Sequence, residues 1–89
     1  MHAHLRNTQT TQEKIKELET LTHVTITYEC KFFVDIEIET GVAGEVLAMV
    51  QHNWLIDDDN NYELVIFRKD NHDNKVSIPL KCLDCLLSL

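Results

Sequence analysis

The stretch from Val24 to Ile38 constrains this chain most. Its even positions are apolar or nearly so: Val24, Ile26, Tyr28, Cys30, Phe32, Val34, Ile36 and Ile38. The odd positions between them are polar except for Phe33. A period of two is the mark of a strand with one buried face, because successive side chains point to opposite sides. The inner positions are mostly β-branched or aromatic, which suits a pleated, half-buried surface. At about 3.3 Å per residue, one straight strand of this length would outrun a small domain. The stretch therefore either turns or bends as a bulged strand. A three-residue turn over Glu29-Cys30-Lys31 keeps all the apolar residues on one side and is the expected form. It pairs Tyr28 with Phe32, Ile26 with Val34 and Val24 with Ile36, and it sets His23 opposite Glu37.

On either side the pattern changes. Residues 1–9 are polar and are expected to be a flexible N-terminus, leaving residues 10–89 as a single domain. Thr10 followed by Glu13 fits a capping box, and Ile15, Leu18 and Leu21 then share a helical face. Thr40-Gly41 closes the β segment. Val42, Val46, Met49, Val50 and Trp54 follow at helical spacing, and the acidic run Asp57-Asp58-Asp59 is a loop. Tyr62–Arg68 and Lys75–Ile78 read as two strands joined by the turn-forming Asp70–Asn74. Pro79 suits a helix start, and the Leu-rich tail from Leu80 to Leu89 is expected to be helical. The order is α-β-β-α-β-β-α. The expected fold is α+β: a small domain with one four-stranded antiparallel sheet and its helices on one face.

Charge is unevenly spread. The 89 residues carry a formal net charge of −7. Between Phe32 and Phe67 there is no Lys or Arg, while Asp35, Glu37, Glu39, Glu45, Asp57, Asp58, Asp59 and Glu63 all fall there. Such a balance disfavours direct nucleic-acid or anionic-membrane binding, since phosphates are met by Lys and Arg. No apolar run approaches the roughly 18 residues of a membrane helix, and no secretory leader is visible. The expected compartment is cytoplasmic.

Few residues suggest chemistry. Cys82 and Cys85 have C-x-x-C spacing, but no second pair completes a zinc site, and two small apolar residues on a buried helix explain them. Asp57-x-Asp59-x-Asn61 opens like a calcium loop, yet Tyr62 and Arg68 stand where its glycine and closing glutamate belong. Glu29-Cys30-Lys31 has an E-x-K spacing without the preceding strand carboxylate a nuclease needs. His23 facing Glu37 reads first as a cross-strand ion pair. The chain has no phosphate-cradling glycine loop and no nucleophile elbow. The expectation is a protein that is not an enzyme and needs no metal or cofactor.

What remains is the acidic middle. Asp35, Glu37 and Glu39 on a strand face, with Asp57, Asp58 and Asp59 in a loop, are the expected contact for a partner protein with a basic surface. An inhibitor or adaptor covering a nucleic-acid-binding surface, as phage anti-defence proteins and antitoxins do, fits that pattern. The alternative is a homodimeric structural or regulatory subunit joined through Leu80, Leu83, Leu86 and Leu87.

Overall fold

The computed structural model describes residues 1–41, 46–52 and 62–80. Six strands and one helix run in the order β1 (His2–Arg6), α1 (Gln9–Leu18), β2 (Val24–Glu29), β3 (Phe33–Ile38), β4 (Val46–His52), β5 (Tyr62–Arg68) and β6 (Lys75–Leu80). They form two three-stranded antiparallel sheets, sheet A in the order β1-β3-β2 and sheet B in the order β4-β5-β6. The described protein is thus mostly β. This corrects the α+β expectation of a single four-stranded sheet with helices on one face.

One apolar core joins the sheets. Ala3 and Leu5 of β1 and Val34, Ile36 and Ile38 of β3 contribute from sheet A. Val46, Leu64, Ile66, Val76, Ile78 and Leu80 contribute from sheet B. The helix adds Ile15 and Leu18, with Leu21 just beyond it, on the face that its spacing predicts. The helix and β1 both lie against β6, so the N-terminal third closes over one edge of sheet B. Thr8 caps α1, its side-chain oxygen accepting from the Thr11 amide, which satisfies one of the amides a helix start leaves unpaired.

Three departures from expectation have identifiable causes. Residues 1–9, expected to be loose, contain a strand, because His2-Ala3-His4-Leu5-Arg6 alternates polar with apolar and β3 offers it a free edge. The described part of the expected second helix is β4. Val46 to Val50 is an unbroken apolar run that helical spacing cannot separate from strand, and pairing with β5 decides it. Pro79, expected to begin a helix, sits instead in β6 at an edge of sheet B. Proline lacks a ladder donor, so an edge is where a sheet accepts it. The expected tail helix beyond Leu80 lies outside the described residues.

The β2–β3 hairpin is present with a different register. Val24 pairs with Ile38 and Ile26 with Ile36, and an irregularity at Thr27 then brings Tyr28 opposite Asp35. A bulge of this kind inserts one residue and re-aims the next side chain. Tyr28 consequently shares the outer face with Asp35. The turn residue Phe32 is 66% exposed instead of packing inward. Beyond β3, Gly41 has a φ of 76°, the left-handed conformation that favours glycine.

Candidate functional site

The outer face of sheet A is where the sequence-predicted acids and the structure meet. On β3 the outward positions are Phe33, Asp35 and Glu37, since Val34, Ile36 and Ile38 face the core. On one side β1 sets Arg6 opposite Phe33, His4 opposite Asp35 and His2 opposite Glu37. On the other side β2 sets Tyr28 opposite Asp35 and Thr25 opposite Glu37. The carboxylate row is therefore the centre of a three-strand face that also carries imidazoles, aromatic rings and one guanidinium.

His4 Nδ1 is hydrogen-bonded to the Asp35 carboxylate, and the His4 ring stacks on Phe33 with centroids 4.7 Å apart. His2 Nε2 lies 3.9 Å from Glu37 Oε1, with both side chains more than half exposed. Glu37 and Glu39 also border a shallow depression with His23 and Thr25. His23 is not the register partner of Glu37: the Glu39 amide donates to the His23 carbonyl, and Thr25 faces Glu37. The expected His23–Glu37 cross-strand pair is overturned by that register.

At the opposite end of the face, Asn7 fixes the β2–β3 turn. Its backbone amide donates to the Phe32 carbonyl at 2.8 Å, and its side-chain amide donates to the Cys30 carbonyl at 2.7 Å. Its side-chain oxygen accepts from Gln12 of α1 at 2.9 Å. Within the turn, the Cys30 amide donates to the Phe33 carbonyl at 2.9 Å. The Phe32 and then the Phe33 backbone amides bond the Cys30 sulfur, with a smaller contribution from the Tyr28 hydroxyl. Together they hold its thiol below the ordinary range, against the opposing effects of desolvation and the Asp35 charge.

Of the other expected site residues, Asp57, Asp58 and Asp59 lie outside the described residues, as do Leu83, Leu86 and Leu87. Leu80, expected at a dimer contact, ends β6 and is buried in the core. Among the described residues no three His, Cys, Asp or Glu side chains gather as a metal-holding group, and no helix is long and apolar enough to cross a membrane. Sequence reasoning missed His2, His4, Arg6 and Tyr28. The first three carry a readable signal, the polar–apolar alternation of residues 2–6. Tyr28 carries none, because its inward parity is reversed by the bulge. No family model matches the chain, and no curated protein and no solved structure matches it either.

Proposed function

We propose that this chain is a non-enzymatic binding module whose contact surface is the outer face of sheet A and whose partner is a protein with a basic surface. The observation that carries this reading is the row Asp35, Glu37 and Glu39. These carboxylates occupy alternate positions along and just past β3, in a segment without Lys or Arg. Glu37 and Glu39 are exposed and Asp35 is half-buried. Such a row attracts a basic surface and speeds encounter with it. Tyr28 and Phe33 stand beside it, 58% and 42% exposed, and aromatic residues are enriched at protein interfaces, tyrosine among their energetic hot spots.

Imitation of duplex DNA by this row alone is excluded on spacing. A duplex presents a charge about every 1.7 Å of axis, whereas alternate strand residues lie about 6.7 Å apart. The fit is to a few Lys or Arg side chains of a partner, such as those on a nucleic-acid-binding surface, as in antitoxins and phage anti-defence proteins.

The test uses an Arg-rich peptide as probe, measured by calorimetry against the intact chain and against the triple variant Asp35→Asn, Glu37→Gln, Glu39→Gln. The triple variant is expected to bind about tenfold more weakly, and added salt is expected to weaken the unmodified chain. Binding that ignores both salt and the triple substitution ends this reading.

A further inference from the structure

A second surface of opposite sign lies beside the acidic row. Arg6, Asn7, Thr8, Lys31, Phe32 and Phe33 line a groove between the end of β1 and the β2–β3 turn. Two of these residues are cationic and none is acidic. Among the described residues neither Arg6 nor Lys31 takes part in an ion pair, in a chain with 15 acids and 8 bases. Lys16, Arg68, Lys69 and Lys75 take no ion pair among the described residues either, so what marks Arg6 and Lys31 is their place beside two exposed rings, Phe32 and Phe33. The Lys31 ammonium lies 6.0 Å from the Phe32 ring centroid, and Arg6 is the register partner of Phe33. The groove is also pre-formed, because the three hydrogen bonds of Asn7 tie both walls and α1 together.

We propose that this groove docks a short acidic peptide segment of a partner protein, one that carries an aromatic side chain between its carboxylates. Arg6 offers a planar fork that matches a carboxylate, and Lys31 adds a point charge. Phe32, left 66% exposed at the turn, offers a ring for offset or edge-to-face packing. A rigid site loses less ordering entropy on binding.

The charges around the groove select a peptide over a nucleic acid strand. Asp35 follows Phe33 by one alternate position, about 6.7 Å along the strand, and Glu29 closes β2 on the other side of the turn. The spacing of Asp35 from Phe33 is under the Debye length of about 8 Å at physiological salt, and Glu29 stands two residues before Lys31. A strand with a phosphate at every nucleotide needs a continuous basic track and runs onto these acids. A peptide places one or two carboxylates on the cations and stops there.

The probe is the peptide Ac-Ala-Glu-Phe-Glu-Ala-NH2, titrated into the isotope-labelled intact chain and followed by NMR. The lysine analogue of the peptide and a short oligothymidylate serve as comparisons. The acidic peptide is expected to shift the amides of Arg6 to Thr8 and Lys31 to Phe33. Arg6→Gln, Lys31→Gln and Phe32→Ala are each expected to weaken it severalfold, while Asp35→Asn with Glu37→Gln leaves it as tight or tighter. That last pair separates this groove from the acidic row, whose binding it weakens. Lys31 and Phe32 are surface side chains, so their variants stay informative if Arg6→Gln loses its fold. The proposal is overturned by an absence of localised shifts at millimolar peptide, by unchanged binding in the folded Lys31 and Phe32 variants, or by tighter binding of the oligothymidylate at the same residues.

Discussion

His4 and Asp35 are hydrogen-bonded across β1 and β3, 31 positions apart in sequence. The pair links the acidic row by side chains to β1, a strand whose Ala3 and Leu5 are buried in the core, and each side chain is about one-third exposed. Solvent screening limits what such a pair is worth. His4→Ala and Asp35→Asn are each expected to cost about 0.5–1 kcal/mol. A double-mutant cycle by urea denaturation is expected to return a coupling of the same order. A coupling indistinguishable from zero would show that backbone pairing and the burial of Ala3 and Leu5 hold β1 without the side-chain pair.

Asn7 is expected to matter more than its position near the chain start suggests. Asn7→Ala removes the side-chain bonds to the Cys30 carbonyl and from Gln12 while leaving the backbone bond to Phe32. At about 1 kcal/mol per lost hydrogen bond, the midpoint of denaturation should fall by an amount equivalent to roughly 1–2 kcal/mol. Hydrogen exchange at Lys31 to Phe33 should speed up at the same time. An unchanged exchange rate in that turn would show that Asn7 does not clamp it.

Ile26 and Ile36 are register partners on one face of sheet A, yet Ile36 is fully buried and Ile26 is 46% exposed. The edge position of β2 is the reason. Ile36→Ala is expected to cost about 2–5 kcal/mol, the range for a cavity in a packed core. That is a large share of the roughly 5–10 kcal/mol available to a small domain. Ile26→Ala should cost less than half as much. Equal losses would place β2 inside the core instead of at its rim.

Cys30 is expected to alkylate at lower pH than an unperturbed thiol. The amides of Phe32 and Phe33 favour its thiolate, and the thiolate is the reactive form. The folded thiol titrates below its unfolded value, so the rate against pH should rise earlier for the native chain than for the chain in denaturant. Peptide mass spectrometry after brief iodoacetamide treatment would separate Cys30 from the other two cysteines. Coincident native and denatured profiles would contradict the assignment.

Much of this arrangement is legible in the chain itself. The alternation at 24–38 marks a hairpin, the spacing of Ile15, Leu18 and Leu21 marks a helix face, and Asp70–Asn74 marks a turn between two strands. The alternation also places Asp35 and Glu37 on the outer face, because a period of two assigns every β3 side chain to one side or the other. The register was not legible: pairings two residues apart satisfy the same alternation equally well, and the extra residue at Thr27 has no signature in composition. Nor was β4 legible, since the run Val46 to Val50 satisfies helix and strand alike.

Which residues face inward along β3 was thus decided locally, by side-chain parity and hydrophobicity. What stands beside them was decided only by tertiary pairing. β1 docks on the free edge of β3, 27 residues beyond its own end, and so brings His2, His4 and Arg6 to the acids and to Phe33. A ladder of that range forms because it buries Ala3 and Leu5 in the shared core, a gain no local window of sequence contains.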